Sequence, residues 1–438
     1  MTSPLNVLLV GSGGREHAIA WRVAASPLLA KLWIAPGNAG TAELGENVPE
    51  VRATDIEGIA ALAKRTRADL VIVGPDDPLA LGLVDRLTVE GIRCFGPTRD
   101  AAELEWSKSF AKDVMRQAGI ATAEARAFDS IGAARGYLGQ LEDAGAPPPV
   151  VKANGLALGK GVVVAADFAE ARAALEASMV GRAFGEAGTR VLVEERMAGP
   201  ETSAHAFTDG VTVRHMPFSC DHKAVFDGNV GPNTGGMGVF SPPGWLSEAD
   251  ARAIERDVTE RTVRAMLETG RPYRGVLYPG MMLTADGPRV VEFNCRFGDP
   301  EAQALLPRLE SDLLEICWAV AGNALHDVDV HWSDRATVCV VMASGGYPGA
   351  YSTGARIEGL GDVDADVQVF FAGVARDAEG HPVTAGGRVL SVTASGATIA
   401  EAQARAYENV RRIRFEGAHF RTDIGDRGVA AQLAAASR

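Results

Sequence analysis

The first hundred residues alternate short apolar runs with segments of helical periodicity, and this alternation constrains the fold more than any other feature of the chain. The apolar runs are NVLLVG, LWIA and DLVIVG, and helices are predicted from about Arg15 to Ala25 and after Asp55. Strands that are joined by helices pair in parallel, because the crossover returns each strand in the same direction. The sequence therefore predicts an α/β fold that begins with a parallel sheet.

Glycine-rich or acidic loops follow the strands of this predicted sheet. GSGGREH runs from Gly11 to His17, and APGNAGT and GPDDPL follow later strands. Such loops meet at the carboxyl edge of the sheet, where a helix N-terminus can bind an anion. The dinucleotide fingerprint G-x-G-x-x-G would need its third glycine where Glu16 stands, which disfavours an NAD site. A phosphate site and a merely tight turn both remain open.

A second glycine-rich loop lies between two predicted strands in VVKANGLALGKGVVVA. Lys152 ends the first strand, and Lys160 lies in the loop. Glycine lets a backbone approach phosphate oxygens, and lysine supplies the opposing charge. No Ser or Thr follows Lys160, and a strand follows instead of a helix, so this is not a Walker A loop. A hairpin turn without a ligand is the alternative, but it does not explain the two lysines.

The stretch VVEFNCRFGDPE is predicted to be a strand that leads through a loop into a helix, with Asp299 as N-cap and Pro300 in the first turn. Alternation places Glu292 and Asn294 on one face, with Arg296 next in the series. Carboxylate and amide oxygens suit Mg²⁺, which keeps several waters and binds substrate phosphates. Such a pair taken alone is more often a solvated sheet face. The density of charge in this short run favours a metal site.

Three other segments complete this interpretation. RVLVEERMAGPE is a predicted strand entering a hinge that suits an adenine edge, although its acids taken alone are ordinary surface residues. CDHKAVFDGNVGPNTGGMGVFS is predicted to be a long loop without secondary structure, and Asp221, His222 and Lys223 favour a substrate loop over disorder. The tail from about Leu325 is predicted to be an α+β unit that contributes no chemistry.

Composition limits the class of protein. A length of 438 residues exceeds one comfortable core, so several domains are expected. A net charge of −13 argues against nonspecific binding to nucleic acid or an anionic membrane, but not against small phosphorylated molecules. The five cysteines are scattered and odd in number, which predicts reduced thiols. The N-terminus lacks a signal-peptide pattern, so a cytoplasmic location is expected.

In this order, these motifs resemble the glycinamide ribonucleotide synthetases (phosphoribosylamine–glycine ligases), a family of ATP-grasp enzymes, over nearly the whole chain. The resemblance is carried by GSGGREHA, APGNAGT, GPDDPL, WSKSFAKD, KANGLALGKGV, DHKAVFDGNVGPNTGGMG, EFNCRFGDPE, MASGGYPG and GGRVLSVTA. It implies an α/β ATP-grasp architecture in four parts. These are an N-terminal parallel-sheet domain that binds phosphoribosylamine (1–103), a central ATP-grasp domain (104–122 and 189–325), a lid (123–188) and a C-terminal α+β domain (326–438).

The resemblance also implies roles for individual residues. Glu292 and Asn294 would bind Mg²⁺ or Mn²⁺, and Arg296 would orient the substrate that forms the acyl phosphate, with Asp221 and Lys223 assigned to glycine. The implied nucleotide-binding residues are Lys108, Lys152, Gly155, Leu156, Ala157, Gly159, Lys160, Gly161, Glu194, Glu195, Met197 and Glu201. The implied phosphoribosylamine-binding residues are Gly11, Gly13, Gly14, Arg15, Glu16, Asn38, Gly40 and Thr41.

The implied reaction is phosphorylation of the glycine carboxylate by MgATP, followed by amine attack and release of ADP and phosphate, in purine biosynthesis. Small-molecule substrates, no nucleic acid, no membrane and a monomer or weak homodimer are expected. Asn154 stands where the family commonly has Asp, and Asp76 stands where Glu is usual. The alternatives are an ATP-grasp carboxylase with a bicarbonate site, a noncatalytic nucleotide-binding protein and, more distantly, an NAD oxidoreductase.

Overall fold

The computed structural model describes residues 4–157 and 161–437. The elements of its first unit are β1 (Leu5–Gly11), α1 (Gly14–Ala24), β2 (Leu29–Pro36), β3 (Glu46–Asn47), α2 (Ile56–Thr66), β4 (Leu70–Val73), α3 (Asp76–Ala80), α4 (Leu83–Val89), β5 (Arg93–Phe95), α5 (Arg99–Trp106) and α6 (Lys108–Ala118). The five strands pair in parallel in the order β3-β2-β1-β4-β5. This confirms the parallel sheet that the alternation predicts.

The second unit is a small antiparallel sheet with two helices. Its elements are β6 (Ala125–Phe128), α7 (Ile131–Asp143), β7 (Val150–Ala153), β8 (Val162–Val164), α8 (Phe168–Leu175) and β9 (Val191–Glu194). The strand order is β6-β9-β7-β8. β7 and β8 pair directly, which confirms the two strands predicted on either side of the glycine-rich loop.

The third unit is built on a long hairpin. Its elements are β10 (Glu201–Ser203), β11 (Ala206–Thr208), β12 (Val213–His215), β13 (Cys220–Asp221), β14 (Ala224–Phe226), β15 (Val230–Asn233), β16 (Gly238–Ser241), α9 (Glu248–Ala253), α10 (Arg261–Glu268), β17 (Gly275–Thr284), β18 (Gly287–Asn294), α11 (Glu301–Leu305) and α12 (Leu313–Ala321). β17 pairs with β18 across a turn at Asp286. A π-helical segment, Ile254–Glu260, joins α9 to α10.

The fourth unit contains β19 (Ala336–Ala343), β20 (Gln368–Phe371), β21 (Val374–Arg376), β22 (Pro382–Thr384), β23 (Arg388–Gly396), α13 (Ile399–Val410) and α14 (Asp426–Ala436). Its main sheet has the order β13-β16-β19-β23-β20 and so takes in two strands from residues 220–241. The prediction that this stretch is a loop without secondary structure is therefore wrong. Its strands are short, and β16 pairs with β19, which lies about a hundred residues further along the chain.

The first and third units share one apolar core. Val7 and Leu9 of β1 belong to the same buried cluster as Leu313 and Ile316 of α12. This packing brings the carboxyl edge of the first sheet close to the end of β18. In the ranges 4–157 and 161–437, no helix is long and apolar enough to cross a membrane.

Candidate active site

Two adjoining cavities form one cleft between the units. One has a volume of about 420 Å³ and is lined by the segment after β9 and by β13; it is called here the hinge compartment. The other has a volume of about 460 Å³ and is lined by α6; it is called the helix compartment. Lys152, Glu194, Glu292, Asn294 and Arg296 line both compartments. A ligand as long as a nucleoside triphosphate would therefore contact both compartments.

The acid and amide at the end of β18 provide two oxygen ligands on one wall of this cleft. Burial, the largest single effect, would raise the pKa of Glu292, but the charges of Lys223, Lys152, Lys108 and Arg296 together lower the pKa below its ordinary value. The carboxylate is therefore ionised. A charged carboxylate beside an amide oxygen, both facing a polar cavity, is a donor set that fits a hard divalent cation.

A buried ion pair fixes the arginine that follows. Arg296 Nη2 lies 2.8 Å from Glu105 Oε1, and the same nitrogen donates to Asn294 Oδ1 at 3.1 Å. Glu105 Oε2 accepts from the N–H of Cys295 at 2.7 Å. The pKa of Glu105 is raised to about 7, chiefly by burial; the charge of Arg296 opposes this shift, and the charge of Asp76 adds to it. The Glu105 carboxylate thus orients both the guanidinium of Arg296 and the backbone that follows Asn294.

Two lysines, one from the first unit and one from the second, share a single carboxylate. Lys152 Nζ lies 2.8 Å from Glu194 Oε2, and Lys112 Nζ lies 3.4 Å from Glu194 Oε1. Lys112 also donates to Thr122 Oγ1 at 2.9 Å, and burial lowers its pKa to about 8. Lys108 starts α6 and donates to Gly155 O at 3.2 Å. These ammonium groups give this part of the cleft several cations that could bind an anionic ligand.

A second group of charged side chains lines the hinge compartment. Lys223 Nζ lies 3.2 Å from Glu201 Oε2, and that carboxylate raises the pKa of Lys223. Asp221 Oδ1 is buried and has no hydrogen-bond partner among the described residues. Burial raises the pKa of Asp221, and nearby Glu301 raises it further. Glu301 itself accepts from the Tyr278 hydroxyl at 2.6 Å. The group therefore offers a carboxyl group, that of Asp221, which forms no ion pair among the described residues, and an ammonium group, that of Lys223, two residues further along.

The residues assigned to phosphoribosylamine divide into one that lines the cleft and others that shape the loops. Arg15 lines the helix compartment and donates to Phe297 O at 3.2 Å. The N–H of Gly13 is not open to an anion, because Glu16 Oε2 accepts from it at 2.6 Å. Asn38 holds the two loops together by donating to Ser12 O at 2.8 Å. Gly11, Gly14, Gly40 and Thr41 are absent from the walls of both compartments.

Most residues assigned to the nucleotide lie together. The residues that line one or both compartments are Lys108, Lys152, Leu156, Ala157, Gly161, Glu194, Glu195, Met197 and Glu201. Gly155 contributes the carbonyl that Lys108 contacts. Gly159 and Lys160 lie outside the described residues. The structure also brings Glu292, Asn294, Arg296, Asp221 and Lys223 to the same cleft.

Two expectations about local roles are wrong. Asp299 does not cap α11, which begins at Glu301 after Pro300; its carboxylate accepts instead from Gln303 Nε2 at 2.7 Å. The C-terminal unit does contribute to the cleft, because Tyr347 and Arg388 line the helix compartment. Both residues lie in motifs that carry the family resemblance, MASGGYPG and GGRVLSVTA, but the sequence alone gives them no role, because their partners lie far away in the chain.

Glu105 and Lys112 were also missed by sequence reasoning, but here a signal exists. They lie three residues before and four residues after Lys108, so Lys112 shares its helix face. The two departures from the family pattern have simple structural consequences. Asn154 Oδ1 accepts from the N–H of Ser109 at 2.8 Å, a bond that an aspartate oxygen would also accept. Asp76 lines the helix compartment with Arg15.

Family models match the chain in three consecutive parts. They are described as the phosphoribosylglycinamide synthetase N domain (residues 5–105), ATP-grasp (A) domain (106–302) and C domain (337–427). The phosphoribosylamine–glycine ligase of Caulobacter vibrioides is 48% identical over 427 residues, covering 97% of this chain and 99% of that protein.

Solved structures agree with these matches. The crystal structure of phosphoribosylamine–glycine ligase from Thermotoga maritima superposes with a TM-score of 0.83 at 32% identity, covering 96% of this chain and 100% of that one. The biotin carboxylase domain of Hydrogenobacter thermophilus 2-oxoglutarate carboxylase, in complex with MgADP, ADP and bicarbonate, has a TM-score of 0.74 at 16% identity, with coverages of 96% and 92%. At that identity the likeness shows the fold alone.

Proposed function

The chain belongs to the phosphoribosylglycinamide synthetase family and is an ATP-dependent phosphoribosylamine–glycine ligase of purine biosynthesis, and from this premise we propose how its residues divide the reaction. A carboxylase activity is not favoured, because the full-length likeness at 48% identity is to a ligase, whereas the carboxylase relative is 16% identical. Glycine and phosphoribosylamine are the small-molecule substrates.

In the proposed first step, a carboxylate oxygen of glycine attacks the γ-phosphorus of ATP, the bond to the bridging oxygen breaks, and ADP leaves. Lys108 and Lys152 bind the phosphates, and Glu194 holds Lys152 at 2.8 Å in the orientation that this requires. Phosphoryl transfer depends on positioning and charge neutralisation more than on covalent chemistry. The adenine and ribose lie along the hinge compartment, beside Glu195 and Met197.

Glu292 and Asn294 would hold Mg²⁺ or Mn²⁺. Such an ion, when bound, neutralises charge on the β- and γ-phosphates and aligns them for transfer. The ionised state of Glu292, together with the amide oxygen of Asn294 on the same wall, supports this assignment. Arg296, held by Glu105 at 2.8 Å, orients the glycine carboxylate toward the phosphates.

In the proposed second step, the amine nitrogen of phosphoribosylamine attacks the carbonyl carbon of glycyl phosphate. The new C–N bond forms as the C–O bond to phosphate breaks, phosphate leaves with the electron pair, and the nitrogen loses a proton. Arg296 donates hydrogen bonds to the developing oxyanion, and enclosure of the cleft excludes water. Arg15 and Asp76 line the helix compartment, where the phosphoribosyl group would arrive from the first unit.

Glycine binds as a zwitterion, so its site needs a carboxylate for the ammonium group and a cation for the carboxylate. Asp221 and Lys223 supply this pair in the hinge compartment. The observation that carries the assignment is Asp221 Oδ1, a buried oxygen for which the described residues provide no hydrogen-bond donor. A bound ammonium group would satisfy it.

The test is ADP release by the whole protein, measured with and without glycine, phosphoribosylamine and bicarbonate. ADP release that requires glycine with phosphoribosylamine supports the ligase steps, and release that requires bicarbonate would contradict them. Asp221→Asn should raise the KM for glycine about tenfold or more and leave ADP affinity unchanged, since a charged hydrogen bond is lost. Asp286→Asn, in the exposed β17–β18 turn, is the matched control. An unchanged glycine KM in Asp221→Asn would refute the glycine assignment.

The division into an N-terminal domain (1–103), a central domain (104–122 and 189–325), a lid (123–188) and a C-terminal domain (326–438) is part of the proposal. A monomer or weak homodimer, acting without nucleic acid or a membrane, also belongs to it. Sedimentation of the whole protein with and without MgATP would test the oligomeric state.

A further inference from the structure

The peptide unit of Gly235 lies at the junction of the two compartments and is held by the C-terminal unit on both of its polar groups. Arg388 Nη1 donates to Gly235 O at 2.6 Å, and the Tyr347 hydroxyl accepts from the N–H of Gly235 at 3.1 Å. Gly235 lines both compartments, so its position sets part of the wall of each one. Neither Arg388 nor Tyr347 has a role in the steps proposed above.

Arg388 joins this peptide to the loop after β18. Its Nη1 donates to Asp299 O at 2.7 Å, and its Nη2 lies 3.2 Å from Asp299 Oδ2. The side chains of Arg388 and Asp299 are only 21% and 16% exposed, so the contacts are shielded from bulk water. A planar guanidinium can serve all these acceptors at once, whereas a lysine ammonium of the same charge cannot match the geometry.

Packing leaves the loop between β15 and β16 little freedom at Gly235 and Gly236. A Cβ at Gly235 would lie 3.0 Å from Arg388 Cζ, which puts the guanidinium directly against the backbone. Gly236 has a φ of +109°, and a Cβ there would lie 2.4 Å from Pro300 Cδ and 2.9 Å from Asp221 Oδ1. The segment is therefore wedged between the loop after β18 and the carboxylate assigned to glycine.

Hydrogen bonds continue from this segment to the lysine of the same site. Thr234 donates from its N–H and from its hydroxyl to Lys223 O, both at 2.8 Å. A displacement of Gly235 would thus be transmitted to Lys223 through Thr234 and to Asp221 through Gly236. The nucleotide-facing lysines Lys108 and Lys152 lie on other elements and do not share these bonds.

We propose that Arg388 and Tyr347 are positioning residues that clamp the Gly235 peptide and so give the C-terminal unit control over the glycine site. The inference rests on the proposed assignment of Asp221 and Lys223 to glycine. The clamp fixes the position of the Gly235 segment beside Asp221 and Lys223. Nucleotide binding depends instead on the lysines of the other units. Glycine affinity and nucleotide affinity therefore respond differently when the clamp is loosened.

The test uses the whole protein with two variants, Arg388→Lys and Tyr347→Phe. Arg388→Lys keeps the charge but loses the forked geometry, and it should raise the KM for glycine about 10- to 100-fold, as expected for loss of hydrogen bonds to a charged group. Tyr347→Phe removes one neutral acceptor and should raise it about 2- to 10-fold. Affinity for ADP, measured by calorimetry, should stay unchanged in both variants.

Arg405→Lys is the matched control, because Arg405 also bonds a carboxylate, that of Asp366, and a carbonyl, that of Ser395, within the C-terminal unit. It should leave both constants unchanged. Asp221→Asn separates the two levels of inference. A raised glycine KM in Asp221→Asn with wild-type values in Arg388→Lys and Tyr347→Phe would overturn the clamp alone, and an unchanged glycine KM in Asp221→Asn would overturn the assignment on which it rests. Equal losses of glycine and ADP affinity in the clamp variants would also overturn it, because they indicate a general structural defect.

Discussion

Replacing Glu105 with glutamine would separate what this buried carboxylate does to stability from what it does to the reaction. Burial raises the pKa of Glu105 from 4.5 to about 7, against the attraction of Arg296 and with a contribution from Asp76. At about 1.4 kcal/mol per pH unit, the ionised acid costs the folded protein about 3 kcal/mol relative to the protonated acid. Glutamine has the shape of the protonated acid and avoids this cost.

The sign of the pH dependence follows from proton binding. Between pH 4.5 and about 7 the folded protein keeps a proton on Glu105 that the unfolded chain has released, so wild-type stability falls as pH rises through this window. The attraction of Arg296 is already contained in this pKa of about 7, so loss of the ion pair is not a separate cost in the variant. In the variant, Arg296 keeps Asn294 Oδ1 and Phe297 O as acceptors.

We therefore expect the free energies of unfolding of Glu105→Gln and wild type to agree within about 1 kcal/mol near pH 5, where the folded wild type holds the proton, and the variant to be more stable by about 3 kcal/mol near pH 8. Denaturant midpoints measured in parallel across this range give the difference. In the same variant kcat should fall by about 10- to 100-fold, because Arg296 loses the ion pair that orients it. Glu103→Gln is the control for kcat. Glu103 lies on the same helix as Glu105, and its substitution breaks an ion pair with Arg271. A stability difference that does not change with pH, or an unchanged kcat, would refute the reasoning.

Other residues of the cleft give sharper yes-or-no results. Glu292→Gln should raise the Mg²⁺ concentration needed for half-maximal turnover of ATP, because the charge of a proposed metal ligand is lost. Calorimetric Mg²⁺ binding equal to that of wild type would contradict this. Arg296→Ala should lower kcat by about 10²–10³-fold without a matching loss of ADP affinity, and wild-type turnover would remove its assigned role. Lys112→Met should raise the KM for ATP about tenfold by releasing Glu194 from one of its two lysines. Asn154→Asp should change that KM by less than about twofold, since either side chain accepts from Ser109.

The parts of the fold that the sequence predicts correctly are those whose signals are local. The strands of the first sheet are continuous apolar runs, and the helix after Asp55 begins where that side chain accepts from the N–H of Gly58. The β17–β18 hairpin, which turns at Asp286, is also a local structure, because its two strands are adjacent in the chain. Because β18 is a regular strand, alternation brings Glu292 and Asn294 to the same cavity, as the period of two requires.

The parts that sequence reasoning misses depend on contacts between distant segments. β13 and β16 are short; β13 pairs with β16, and β16 has its other partner in β19, about a hundred residues further along the chain. Asp299 sits beside a proline at a helix start and has the local signature of a cap, yet Arg388 from the last unit and Gln303 take its oxygens. No propensity scale contains that information, since the partners meet only when the units pack together.

The distribution of charge in the cleft explains why its ligands must include cations, although the reaction handles polyphosphates. Each of the cations Lys152, Lys223 and Arg296 already has an acid partner within 3.2 Å, namely Glu194, Glu201 and Glu105. Among the residues that the structure describes, Glu292 forms no such pair, and Asp221 Oδ1 accepts no hydrogen bond. Buried carboxylates without partners are costly unless a ligand pairs with them. Under the proposed assignments, a divalent ion bound with ATP and the ammonium group of glycine would remove this cost. Nucleotide should therefore bind more tightly to this cleft in the presence of the metal than in its absence, a coupling that calorimetry of ADP binding with and without Mg²⁺ would measure.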